Sequence, residues 1–255
     1  MMTTISLLLL ASLLPHLTFT AHVNVGIVDG KPAHSRPYMV SIQWNKRHIC
    51  GGFLISDQWV LTAAHCKEGI SLCQSLMVVV GVLDLSKSNN LDRIKVKYCF
   101  QHQQSTTRPY RNDIMLLMLY EKINPNKHNI QWIRLPKEGD DGTANRVCSV
   151  MGWGRLKPNG NPSARLMEAN AFIENRQKCE GIWKFEYIDS QMICVSGKGG
   201  SCEYDSGGPL VCGNIAVGIT SFGDRDLCNA NMKPNVYTKI SAFLPWIKKT
   251  IKNVK

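Results

Sequence analysis

Between Cys202 and Cys212 the sequence runs Glu203-Tyr204-Asp205-Ser206-Gly207-Gly208-Pro209-Leu210-Val211. A serine set between an aspartate and two glycines suits a tight turn that leaves its hydroxyl exposed, and flanking cysteines suit disulfides that fix the turn. Such a hydroxyl is a poor nucleophile until a neighbouring base takes its proton. Two upstream segments supply a base and a partner for it. Thr62-Ala63-Ala64-His65-Cys66 carries His65, and Asn112-Asp113-Ile114-Met115-Leu116-Leu117 carries Asp113. Asp113 opens the apolar run Ile114–Leu119, so its carboxylate falls at a buried strand end, a position suited to orienting the second imidazole nitrogen. Taken singly, each residue has an ordinary structural role, and Asp-Ser-Gly-Gly is a common turn. The chemical case rests on the three together.

With His65, Asp113 and Ser206 in that order, the sequence resembles the chymotrypsin-like serine proteases from Ile27 to about Lys255. Pro32-Ala33-His34-Ser35-Arg36-Pro37-Tyr38-Met39-Val40 is similar to the granzyme and mast-cell protease branch, and Arg146–Gly154 is similar to the family's Gly-Trp-Gly strand. The resemblance implies an all-β fold of two antiparallel six-stranded β-barrels with a C-terminal α-helix, and a His65, Asp113, Ser206 triad in the cleft between them. It implies an oxyanion site made by the backbone N–H groups of Ser206 and of Tyr204, which stands where the family normally has glycine. A side chain there brings the direction of that N–H into question if φ is positive. The family's disulfides correspond to Cys50 with Cys66, Cys148 with Cys212, Cys179 with Cys194, and Cys202 with Cys228; Cys73 and Cys99 are left for a fifth bridge or for pairing between chains. Peptide or protein substrates and protease inhibitors are the implied partners.

The resemblance also assigns a specificity pocket to Gly200, Ser201, Ser221, Phe222, Gly223 and Asn235. A trypsin-like chain has aspartate six residues before the serine; here that residue is Gly200, so a basic substrate side chain has no charge to pair with. Gly223 keeps the entrance open, and Asn235 stands where an amide reaches the pocket floor. The expected side chain before the cut is therefore uncharged, apolar or polar. Ile27-Val28-Asp29-Gly30 resembles the family's mature amino terminus, whose freed ammonium pairs with the carboxylate beside the nucleophile, here Asp205. Before the cut that carboxylate lacks its partner and the oxyanion site is not assembled.

Composition sets the frame around these residues. The chain has 255 residues, 44% of them hydrophobic, enough for a sizeable core, and ten cysteines. An even cysteine count behind a leader points to an oxidising compartment and to disulfides. No Cys-x-x-Cys or His-x-x-x-His spacing offers a zinc site, so neither metal nor cofactor is expected. The net charge of +11 favours polyanionic surroundings or simply a solvated basic surface. No basic-aromatic module points to specific nucleic-acid binding; a sulfated proteoglycan ranks first by resemblance alone. No Asn-x-Ser/Thr acceptor occurs, because Pro162 blocks Asn161-Pro162-Ser163.

Along the chain, Ile5–Leu14 is a short apolar run followed by Pro15 and small or polar residues, which reads as a secretory signal over 1–20. Residues 21–26 then form an activation propeptide of three dipeptides, with Gly26 rather than Lys or Arg before Ile27. No second apolar run is long enough to span a bilayer, so a secreted or granule-stored product is expected. The domain itself runs over 27–255. Strand signals fall at Ile49–Ile55, Trp59–Leu61, Met77–Val80 and Ile94–Tyr98, separated by Gly, Asn, Asp and Ser turns, which favours an antiparallel barrel or sandwich. By the resemblance, barrel 1 covers about 27–134, barrel 2 about 135–240 and the terminal helix about 240–253. In that helix Ile240, Phe243, Leu244, Ile247 and Ile251 recur opposite Lys248, Lys249 and Lys252. The expected activity is a serine endopeptidase without trypsin-like specificity. The alternative is a catalytically weak or silent cationic homologue that binds polyanions or acts as an antimicrobial protein.

Overall fold

In a computed structural model of the chain, the described residues are 27–128, 130–140, 146–224, 226–228 and 230–254. The expected leader and activation segments, 1–20 and 21–26, lie outside them.

Alternation of apolar and polar residues drives the strands. In Arg93–Gln101, Ile94 and Val96 point into the core while Lys95 faces solvent. Six strands, β1 (Met39–Trp44), β2 (Arg47–Leu54), β3 (Trp59–Thr62), β4 (Leu76–Val80), β5 (Arg93–Gln101) and β6 (Met115–Leu119), close a first barrel in the order β1-β2-β3-β6-β5-β4. Six more, β7 (Val147–Gly152), β8 (Met167–Ile173), β9 (Met192–Ser196), β10 (Pro209–Cys212), β11 (Ile215–Phe222) and β12 (Asn235–Lys239), close a second barrel. Its order, β7-β8-β9-β12-β11-β10, repeats that of the first, and every pairing in both is antiparallel. Closure leaves neither sheet with a free edge. The fold is therefore the two-barrel, all-β architecture that the sequence led us to expect.

The chain ends are exchanged between the barrels. Lys31–Pro32 pairs with β8, Val28 bridges Gly200, and Ile27 is fully buried in the core of the second barrel, although it belongs to the first half of the sequence. At the other end the apolar stripe folds as a tight 3-10 turn, Ile240–Phe243, and then a helix. A further helix that the sequence reading did not foresee, α1 (Arg176–Trp183), starts at Asn175, whose side chain accepts the Lys178 N–H at 2.8 Å. The terminal helix, α2 (Leu244–Asn253), packs Leu244 and Ile247 into a core shared with first-barrel residues such as Phe53 and Leu116. The rings of Phe243 and Trp246 meet His102, beside β6.

Five disulfides join Cys50 to Cys66, Cys73 to Cys99, Cys148 to Cys212, Cys179 to Cys194, and Cys202 to Cys228. The Cys73–Cys99 bridge ties the segment before β4 to β5 over a sequence separation of 26 residues. It touches none of the residues singled out for chemistry. Replacing both cysteines by serine should lower the free energy of unfolding by roughly 3 kcal/mol, the loop-closure value for this span, with the fold otherwise unchanged. Urea unfolding of the double variant against the parent checks this.

Candidate active site

His65 sits in a 3-10 turn, Ala64–Lys67, directly after β3, and the Cys50–Cys66 bridge fastens that turn to β2. Its Nδ1 lies 2.8 Å from Asp113 Oδ2, and its backbone N–H donates to Asp113 Oδ1 at 3.0 Å. Asp113 is 2% exposed. The second barrel completes its coordination: Ser221 on β11 donates to Oδ2 at 2.5 Å, and Thr238 on β12 donates to the Asp113 carbonyl at 2.8 Å. Burial alone pushes this carboxyl up, but the His65 charge and the hydrogen bonds from His65 and Ser221 outweigh it and hold it below the usual carboxylate range. It stays ionised at neutral pH and fixes Nδ1 as a donor.

Ser206 reaches the same cleft from a loop pinned to the first barrel. The Gly51 N–H donates to the Ser206 carbonyl at 2.8 Å. Gly207 has φ of +81°, and a Cβ there would lie 2.1 Å from Thr62 Oγ1, so only glycine fits. Ser206 and His65 line one cavity of about 870 Å³. No hydrogen bond joins Ser206 Oγ to His65 Nε2 among the described residues. Such bonds are often loose until a substrate orders them.

The backbone N–H groups of Tyr204 and Ser206 have no hydrogen-bond partner among the described residues, and both residues line the cavity. Glu203 carbonyl accepts the Arg155 N–H at 2.9 Å, which turns the trans-related Tyr204 N–H to the opposite side. Tyr204 adopts φ of +74°, the conformation that glycine takes without cost. Its carbonyl accepts from His48 Nε2 at 2.9 Å, and its ring lies under the Arg155 guanidinium, 5.6 Å from the centroid.

Of the residues expected in the specificity pocket, Ser201, Ser221, Phe222, Gly223 and Asn235 line the cavity. Gly200 does not; a Cβ there would meet Ala230 N at 3.0 Å, Ala230 Cβ at 3.1 Å and Asn235 Oδ1 at 3.2 Å. Asn235 is 4% exposed, its Nδ2 donates to the Ser201 carbonyl at 2.8 Å, and a Cβ on Gly223 would meet that Nδ2 at 2.6 Å. The amide thus reaches from one wall to the other and forms a polar floor. Sequence reasoning missed an aromatic wall beside it. Tyr110 stacks on Phe222 at 5.3 Å and 12° and meets the His65 ring edge-on at 5.3 Å, while Trp183 meets Phe222 at 5.0 Å. Trp183 ends α1, Phe222 ends β11 and Tyr110 lies in the short strand Tyr110–Arg111, and neither Tyr110 nor Trp183 carries a motif of its own. Trp44, Ile49, Glu68 and Ile70 of the first barrel also line the cavity.

Asp205, beside the nucleophile, is fully buried. Its carboxylate accepts from Gly154 N–H at 2.7 Å and from Cys202 N–H at 2.9 Å. Glycines 152 and 154 are needed here, since a Cβ on either would lie within 2.5 Å of an Asp205 oxygen. In the uncut chain the Ile27 nitrogen is an amide, so it brings no charge. Burial raises Asp205 from its ordinary 3.8 to about 7, the two N–H bonds only partly opposing it. Cys50, His65 and Cys66 lie close enough together to suggest a metal, but the two sulfurs are joined to each other and are not thiolate ligands.

Residues 27–247 match the protein-family profile described as Trypsin. The chain is 38% identical to granzyme-like protein 2 of Rattus norvegicus, covering 96% of each chain, and 38% identical to granzyme B of Homo sapiens, covering 89% of this chain and 91% of that one. Among solved structures it is similar to neuropsin, described as a serine protease expressed in the limbic system of mouse brain, with a TM-score of 0.79 and 32% identity over 88% of this chain and all of the other.

The raised Asp205 gives a pH signature. The folded uncut chain holds a proton that the unfolded chain releases between about pH 4 and about pH 7, so stability falls as pH rises through that window. Asp205→Asn removes the titration. Urea unfolding of uncut chains, with Ser206→Ala to prevent self-cleavage, should show the Asp205→Asn variant gaining on the parent as pH climbs from about 4 to about 7. A constant difference would contradict the assignment.

Proposed function

The chain belongs to the trypsin family of serine proteases, and from that membership we propose a serine endopeptidase that opens peptide bonds through an acyl-enzyme formed on Ser206. His65 Nε2 takes the Ser206 proton as Oγ attacks the carbonyl carbon, and Asp113 stabilises the imidazolium. The charge on the carbonyl oxygen is met by the Ser206 and Tyr204 N–H groups. His65 then returns its proton to the leaving amine, and water repeats the sequence to release the acid. What supports this reading is that a carboxylate-oriented imidazole, a serine and Tyr204 line one cavity, and that the Ser206 and Tyr204 N–H groups have no partners among the described residues.

Specificity follows from the floor. With Asn235 across the pocket and Gly200 behind it, the side chain before the cut is uncharged and of limited length, either small and apolar or one that hydrogen-bonds an amide. The chain is delivered by a secretory signal to the exterior or a storage granule. It becomes active when the six residues before Ile27 are removed as dipeptides and the new ammonium pairs with Asp205. Proteinaceous inhibitors and sulfated glycans are its further partners, the latter drawn by the +11 charge.

A chain trimmed to begin at Ile27 should be labelled by a serine-directed phosphonate, and Ser206→Ala should abolish labelling. A trimmed, folded chain that does not react would overturn the proposal. Against a peptide library the trimmed enzyme should reject Arg and Lys before the cut. Asn235→Gly should deepen the pocket and raise kcat/KM for aromatic residues there at least ~10-fold, the scale of one or two methylene groups in a pocket.

A further inference from the structure

Tyr204 occupies a backbone region that disfavours a side chain by on the order of 1 kcal/mol or more, so its surroundings must hold it there. Within the second barrel the restraints are the Arg155 N–H on the Glu203 carbonyl, the Asp205 N–H on the Cys202 carbonyl at 3.1 Å, and the guanidinium over the tyrosine ring. The restraint on the Tyr204 carbonyl itself comes from the first barrel. His48 lies on β2, and its partly buried ring packs edge-on against Trp153 at 5.9 Å. A carbonyl only accepts, so His48 Nε2 carries the proton and Nδ1 must be an acceptor. Ser41 Oγ, 2.8 Å from Nδ1, therefore donates to it, and the buried Gln43 Nε2 donates to Ser41 Oγ at 3.3 Å. The chain of donors runs one way, from Gln43 through Ser41 and His48 to Tyr204. Burial lowers the His48 pKa to about 4, so the ring keeps this neutral form at neutral pH.

We propose that His48 is a positioning residue for the oxyanion site, holding Tyr204 in its left-handed conformation from the opposite barrel so that the Tyr204 N–H stays turned into the cleft. Without that bond the tyrosine relaxes toward negative φ, the preceding peptide turns with it, and one of the two oxyanion donors is lost. The proposal rests on the serine-protease assignment above. It adds a dependence that glycine at this position does not impose, because glycine holds positive φ unaided.

The test is a double-mutant cycle on the trimmed enzyme. His48→Leu should lower kcat ~10²-fold, the usual loss for one oxyanion donor, with KM little changed. In a Tyr204→Gly background the same replacement should cost at most about 3-fold in kcat, since the conformation no longer needs holding. An equal loss in both backgrounds would show that His48 matters only for general structure, and no loss in either would show that it does not position Tyr204; both overturn the inference. If His48→Leu fails to fold, Ser41→Ala serves: it leaves the ring in place but removes the donor that fixes its tautomer. Its kcat loss should likewise vanish in the Tyr204→Gly background, and a loss independent of that background again overturns the idea. A parent enzyme that neither turns over nor reacts with phosphonate would instead refute the protease assignment, so the two failures are distinct.

Discussion

A carboxylate buried between two barrels is the constraint that organises this molecule. Asp113 cannot sit there ionised unless its oxygens are met by donors, and those donors come from both halves: the His65 ring and backbone from one side, Ser221 from the other. Thr238 adds a bond to its main chain. Satisfying this one charge therefore fixes the imidazole tautomer and docks the barrels in one relative position.

Other contacts across the interface repeat the logic at smaller scale. Gly51 of β2 grips the Ser206 carbonyl, and a Cβ on Gly51 would lie only 3.1 Å from the Gly208 Cα, so the two backbones approach as closely as glycines permit. His48, two residues before Cys50, reaches the Tyr204 carbonyl. The nucleophile loop is thus shaped by its own disulfides and then held by the barrel that carries the base. Precise placement at a cleft needs support from both walls, because a loop held from one side retains freedom of the order that matters for reaction.

Much of this was legible in the sequence because the chemistry-bearing residues sit in short local patterns: His65 before a cysteine, Asp113 at the head of an apolar run, Ser206 before two glycines. The two barrels and the amphipathic stripe of the terminal helix follow from alternation, turn residues and the resemblance that those patterns support. What remained hidden is non-local. Tyr110 and Trp183 lie in segments without strand periodicity and enter the site only because the fold brings those segments together beside β11. The positive φ of Tyr204 depends on a histidine 156 residues away. Gly200 was expected in the pocket wall, but Ala230 and Asn235, both distant in sequence, crowd it there. Helix α1 escaped notice because few of its residues are apolar and its signal is mainly the Asn175 cap.

The exchange of chain ends gives the molecule a property that neither barrel has alone. Residues 27–32 are woven into the second barrel, and α2 is seated against the first, so each half is clasped by a segment belonging to the other. A break in the connection near Pro136 would leave two pieces still interlaced, held by buried surface rather than by covalent continuity. Such a nicked particle would retain its groove, and the halves would come apart only when both clasps melt.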